Sequence, residues 1–334
     1  MALDLPLLLG LAVAFGVAMY VVMDGFDLGL GILFPFAPGD ADRDLMMESI
    51  APIWDGNETW LVFGGTLLIG AFPGAYAVVL PALYVPLMVM LLALVFRGIA
   101  FEFRFRAGRF RRLWDWSFSG GAAVAAFCQG VSLGALIDGL PVRDGAFAGG
   151  PGTFLSLFAI VCGLGLAAGY ALLGATWLIF KTSGTTAGFG RRAARPALLA
   201  TLAFIGLVSL WTPLTHPLIA HRWFDWPHIA FLSPVPVATA LIAWSIWRAV
   251  AAPGDAKPFL LSIALFLLGF AGLGISLWPY AVPYSETLWQ AASSPPSLAF
   301  VAVGVAVILP ITLAYLGYMH WVFRGKVERG HGYE

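Results

Sequence analysis

The sequence predicts an all-α integral membrane protein of nine transmembrane helices, with its N-terminus outside and its C-terminus inside. Three observations carry that reading. Of 334 residues, 60% are apolar and only 11% charged, against roughly 25% charged in a soluble domain, which excludes a water-soluble protein. Apolar runs of about 20 residues, the length a bilayer requires, recur from one end to the other. Basic residues are sorted to one side of those runs, as their retention on the cytoplasmic face demands.

The runs fall at 5–28, 50–72, 77–102, 117–138, 154–180, 196–219, 229–249, 259–281 and 297–322. The first follows Met1-Ala2-Leu3-Asp4 with no basic residue before it and exceeds a signal-peptide core in length, so it is read as a retained helix. Loops after the odd-numbered runs hold Arg43; Arg104, Arg106, Arg109, Arg111 and Arg112; Lys181, Arg191, Arg192 and Arg195; Arg248 and Lys257; and Arg324, Lys326 and Arg329. The opposite loops hold Arg143 and Arg222, and Arg97 falls inside the third run. Such asymmetry requires an odd number of crossings and favours nine over eight or ten. Short loops make successive helices antiparallel neighbours.

Four glycine pairs one turn apart, Gly25/Gly29, Gly70/Gly74, Gly130/Gly134 and Gly165/Gly169, suit close backbone approach. They are expected to pack within the chain rather than to form a dimer face. Cys128 and Cys162 lie in apolar runs and read as packing residues. Trp114, Trp116, Trp223, Trp226, Trp278 and Trp321 sit near run ends as interfacial anchors. Residues 1–334 read as a single membrane domain, helices 1–4 within 5–138 and helices 5–9 within 154–322. The 18 Lys and Arg balance the 18 Asp and Glu, leaving no net field to draw in nucleic acid.

Ionisable side chains at membrane depth cost a few kcal/mol on insertion scales, so each is a functional hypothesis. Here they cluster. Asp24 and Asp27 end the first run, Asp55 and Glu58 begin the second, and Arg97 and Glu102 close the third. At about 1.5 Å per residue, all six fall in one layer within about 12 Å of the inner boundary. The i, i+3 spacing puts Asp24 with Asp27, and Asp55 with Glu58, on shared helix faces, and Arg97 is expected to face a carboxylate of another helix. Five carboxylates around one guanidinium in a partly desolvated layer cannot all stay ionised. They could take up a proton from the inner aqueous phase and pass it on; a purely structural polar network is the competing reading. A secondary transporter, with the acids binding a coupling ion, is a third, although transporters usually build such sites near the midplane from two related halves.

A haem or metal would need His, Met or Cys facing a cavity at depth. His216, His221 and His228 cluster in one outer loop, His320 ends the last run and His331 is in the tail. No redox centre is expected in this chain.

The stretches Asp24-Gly25-Phe26-Asp27-Leu28-Gly29, Ser49 to Glu58, Leu113-Trp114-Asp115-Trp116, Ala175-Thr176-Trp177 with Lys181-Thr182, and Leu288-Trp289-Gln290-Ala291 closely resemble subunit II of the cytochrome bd-type quinol oxidases. The resemblance runs the length of the chain and is most specific in the first 116 residues. It implies two four-helix bundles plus one peripheral helix, in a bacterial cytoplasmic membrane, beside a similarly folded subunit I. It also implies that haems b and d and the quinol site belong to subunit I, where oxygen is reduced to water with cytoplasmic protons in aerobic respiration. Subunit II is implied to support assembly and to carry part of a proton entry route, with Asp55 and Glu102 matching the family's acidic positions. A small single-helix accessory subunit and a structural quinone or lipid stay open. Two features depart from or divide the family: Glu58-Thr59 stands where some members have Gln-Val, and the short loops resemble the cyanide-insensitive branch.

Overall fold

The computed structural model describes residues 3–327, so the predicted cytoplasmic Arg329 and tail His331 lie outside the described residues. Helices α1 (Leu5–Leu33), α2 (Asp40–Glu48), α3 (Trp54–Ala71), α4 (Pro73–Ala82), α5 (Tyr84–Phe103) and α6 (Arg111–Asp138) make the first half. A short hairpin, β1 (Val142–Arg143) with β2 (Ala146–Phe147), leads to α7 (Leu157–Lys181), α8 (Gly184–Thr215), α9 (Pro217–Phe224), α10 (His228–Leu232), α11 (Pro234–Ala251) and α12 (Ala256–Leu277). A second hairpin, β3 (Tyr280–Val282) with β4 (Glu286–Thr287), precedes α13 (Leu288–Ala291) and α14 (Pro295–Val322).

Local chemistry sets the helix starts. Asp4 accepts the Leu7 amide at 3.0 Å to cap α1, and Ser156 caps α7 by accepting the Ala159 amide at 3.0 Å, each satisfying an otherwise orphaned N–H. Among the described residues, eight helices are long and apolar enough to cross a membrane: those at α1, α5, α6, α7, α8, α11, α12 and α14.

The expected run at 50–72 becomes α3, which has 18 residues but spends its first turns on Asp55, Asn57 and Glu58, and so is not among those eight. The expected run at 77–102 is divided between α4 and α5 around Leu83, where Pro81 and Pro86 each remove a backbone donor. The expected run at 196–219 begins instead at Gly184, because the helix continues beyond the apolar stretch through Arg191, Arg192 and Arg195. The run at 259–281 stops at Leu277, two residues short of Pro279.

α7 is the hub, packing against α1, α6, α8 and α12. The glycines explain how closely. A Cβ on Gly29 would meet the Tyr170 backbone, one on Gly174 would meet Gly29 and Leu30, and one on Gly130 or Gly134 would meet Ala159, Cys162 or Gly163. Gly165 and Gly169 lie against Phe204 and Phe266. These close approaches are all to the chain's own helices.

α3 runs antiparallel beside α1, with Asn57 at Asp27 and Phe63 at Gly16. α14 leans on α1 and α3 and leaves Phe300, Val303, Ile311, Tyr315 and Tyr318 exposed, an apolar flank suited to lipid.

Candidate functional site

At one depth, where α1 ends, α3 begins and α5 nears its end, the structure brings Asp24, Asp27, Asn57, Glu58 and Arg97 together. Arg97 is fully buried; its guanidinium donates to Asp24 at 2.6 Å and to Glu58 at 2.9 Å. Asn57 donates to Asp27 at 2.9 Å, and Asp24, Asp27 and Asn57 are themselves fully buried. Arg97 therefore faces carboxylates of two other helices. Burying such a group is tolerable because the charge is paired and its forked donors are used on carboxylates.

Satisfaction is incomplete. Asp24 Oδ2, Asp27 Oδ1, Asn57 Oδ1 and Arg97 Nε are buried with no hydrogen-bond partner among the described residues, although buried polar atoms are as a rule bonded. Glu58 is the member that reaches the surface, its side chain 25% exposed. Asp55 and Glu102 are placed differently: both are exposed, and no ion pair joins either to Arg97. Asp55, three residues before Glu58, is rotated about 60° from it and sits in the first turn of α3.

The uncharged members of the site carry no insertion signal and were invisible to a reading based on charge. Asn57 is one. Tyr20, one turn before Asp24, accepts from Gln129 at 2.7 Å, and Tyr170 donates to the same glutamine at 2.7 Å. A polar chain thereby links α1, α6 and α7 beside the acids.

A second ionic cluster lies at the basic end. Buried Arg104 donates to Asp115 at 2.5 Å and to Asp44 at 2.6 Å, and Arg111 also donates to Asp44. Asp42 accepts from Thr185 and Thr186 at 2.7 and 2.6 Å, joining α2 to the start of α8. Burial, and secondarily Asp44, raise the Glu48 carboxyl above its ordinary range, while Arg104 opposes them. A raised carboxyl favours folding below the ordinary carboxylate range and loses that contribution as pH rises through its folded-state value. Glu48→Gln is therefore expected to leave the thermal midpoint unchanged near pH 4 and to raise it modestly above about pH 6; parallel melting curves across that range check it.

Among the described residues, no three His, Cys, Asp or Glu side chains gather where they could hold a metal ion. Of the described histidines, His216 stacks on Tyr284, His221 pairs with Asp225, and His320 bonds the Leu316 carbonyl.

Comparison with known proteins gives one answer. Residues 5–323 match the family described as cytochrome bd terminal oxidase subunit II. The chain is 29% identical over 350 residues to cytochrome bd-I ubiquinol oxidase subunit 2 of Escherichia coli (strain K12), covering 93% of this chain and 92% of that protein. It is 26% identical over 325 residues to cytochrome bd ubiquinol oxidase subunit 2 of Bacillus subtilis (strain 168), covering 92% and 93%. A chain in the solved bd oxidase of Geobacillus thermodenitrificans superimposes with a TM-score of 0.78 over 96% of this chain and 100% of that one, at 17% identity, which speaks to the fold alone.

Proposed function

The chain belongs to the cytochrome bd terminal oxidase subunit II family, and from that premise we propose that it supports assembly of a haem-bearing subunit I and admits protons to it from the cytoplasmic side. It is a multi-pass protein of the bacterial inner membrane and one subunit of a quinol:oxygen oxidoreductase. The complex passes four electrons from two quinols to oxygen, and four protons complete two waters. Haems b and d, bound in subunit I, supply the electron transfer. This chain's own residues hold and move the protons.

α3, antiparallel to α1, serves as the ninth crossing, so that two four-helix bundles and peripheral α14 put the N-terminus outside. In that orientation the basic end faces the cytoplasm. The observation that carries the proton reading is the buried, half-satisfied cluster of Asp24, Asp27, Glu58 and Arg97, of which Glu58 alone has a partly exposed side chain. Atoms with spare hydrogen-bonding capacity at membrane depth are what a relay needs and what a purely structural ion pair does without. Exposed Asp55 and Glu102 stand on the same helices as Glu58 and Arg97 and deliver protons across the interface with subunit I. A coupling-ion transporter gains no support from the family.

The test is turnover-linked proton uptake by the assembled complex carrying Glu58→Gln, Asp55→Asn or Glu102→Gln, each first shown to hold normal haem. A relay role predicts turnover lowered about a hundredfold or more, the usual scale for a lost proton-transfer group, with haem content unchanged. Full turnover in all three would falsify the route and leave a scaffold.

A further inference from the structure

The conspicuous Trp177 and Lys181-Thr182 stretch has no part in the acid cluster. Lys181 ends α7 and is 6% exposed. Its ammonium donates to the carbonyls of Phe323 at 2.5 Å and Gly325 at 3.0 Å and lies 5.5 Å from the Trp177 ring centroid. An ammonium has three donors; two are used, both on neutral carbonyls. Among the described residues no carboxylate pairs with it: Asp255 is taken by Arg191 and Lys326, and Glu48 sits in the field of Asp44 and Arg104. A buried cation ordinarily has a counter-ion.

Lys181 lines a cavity of about 250 Å³, with Ser49, Trp177, His320, Arg324 and Lys326 among its walls. His320 Nδ1 donates to the Leu316 carbonyl at 2.9 Å, while its Nε2 is buried without a partner among the described residues. In the doubly protonated ring that nitrogen donates. The cavity thus presents a buried ammonium, an idle imidazole nitrogen, Arg324, and Lys326 already paired with Asp255, against one lining acid, Glu48. At about 30 Å³ per water, it has room for a phosphate and its glycerol ester.

We propose that this cavity binds the phosphate headgroup of a membrane phospholipid, with Lys181 as its buried counter-ion. Its position favours a lipid over a soluble phosphate. The cavity opens at the basic end, where anionic headgroups concentrate beside juxtamembrane Lys and Arg, and its walls Val322 and Phe323 are exposed and continue into the exposed apolar flank of α14. Acyl chains follow that flank while the phosphate enters beside Lys181. The lipid joins α14 and its trailing segment to the α7–α8 junction, reinforcing the bonds from Lys326 to the Thr182 carbonyl at 2.9 Å and from the Val327 amide to the Lys181 carbonyl at 2.8 Å.

The test is made on the intact complex with its partner subunit, stripped of loosely held lipid and titrated with phosphatidylglycerol in mixed micelles while bound lipid is counted by native mass spectrometry. Wild type is expected to hold one phospholipid that Lys181→Gln and His320→Gln each weaken about tenfold or more, the scale of one charge-assisted hydrogen bond, and that Lys181→Arg retains. His320→Gln leaves the Lys181 bonds to Phe323 and Gly325 in place, so a loss there cannot be put down to an unfastened chain end. Unchanged binding in both variants overturns the proposal. So does full thermal stabilisation of stripped complex by inorganic phosphate alone, which would make the ligand soluble. Loss of stability in Glu328→Gln equal to that in Lys181→Gln, with no lipid lost, also overturns it, because the counter-ion would then be that residue, which lies outside the described ones.

Discussion

Arg97→Gln is expected to be among the most damaging single substitutions in this chain, costing about 3–5 kcal/mol, the range for breaking a buried ion pair by removing one partner. The reason is the company Arg97 keeps. Asp24 is fully buried and bonds the guanidinium at 2.6 Å, while Asp27, equally buried, has only Asn57 at 2.9 Å. Without the arginine, two buried acids stand one turn apart on the same face of α1, and of their bonds the one from Asn57 to Asp27 remains. Glutamine is too short to serve both Asp24 on α1 and Glu58 on α3, and it carries no charge. The measurement is the yield of assembled, haem-replete complex and its thermal midpoint. Asp24→Asn in the Arg97→Gln background is expected to recover part of the loss, since contacting charges couple by about 0.5–3 kcal/mol in double-mutant cycles. If the two losses simply add, Arg97 acts through something other than Asp24.

The sequence made this pair visible for a physical reason. An arginine and two aspartates in apolar runs are costly enough to stand out, and the antiparallel order of short-looped helices brings them to one depth. Two things were hidden. Asn57, Tyr20, Gln129 and Tyr170 are uncharged and common in membrane helices, so nothing in composition separates them from ordinary packing; only their convergence on the acids in three dimensions does. The rotation of α3 was hidden too. Residues three apart share a face within about 60°, and that offset leaves Glu58 on Arg97 but Asp55 exposed.

The helix ends show the same limit. Hydropathy locates the apolar part of α8 but not the basic turns from Gly184 onward, because helical hydrogen bonding continues where the membrane stops. Conversely, one apolar run spans Leu83, where the chain passes between two helices near Pro81 and Pro86. By its place in the sequence Lys181 is a loop cation that helps to orient the chain. Its burial comes from the returning segment at Phe323 and Gly325, more than 140 residues away, which no local pattern encodes.

Gly29→Ala and Gly174→Ala are expected to be nearly as harmful, for a reason that has nothing to do with charge. At this crossing α1 and α7 meet backbone to backbone: a Cβ on Gly29 would press on the Tyr170 carbonyl and lie 2.8 Å from the Gly174 nitrogen, and one on Gly174 would lie 2.6 Å from the Leu30 nitrogen. Neither neighbour is a flexible side chain that can turn aside, so the two helices must separate. Helix propensity works the other way, favouring alanine by about 1 kcal/mol. Overpacking costs about 1–3 kcal/mol even where side chains can shift, and here the obstruction is rigid and at the hub, so the clash outweighs the propensity. Separating α1 from α7 also displaces Asp24 and Asp27, five and two residues before Gly29, from Arg97 and Asn57. Turnover is therefore expected to fall together with stability. Gly206→Ala supplies the control, because its Cβ would meet nothing within 4 Å inside α8; it should be neutral or slightly stabilising in the same melting experiment. Equal midpoints for all three variants would mean that α1 and α7 are held apart by other contacts, with the glycines merely tolerated.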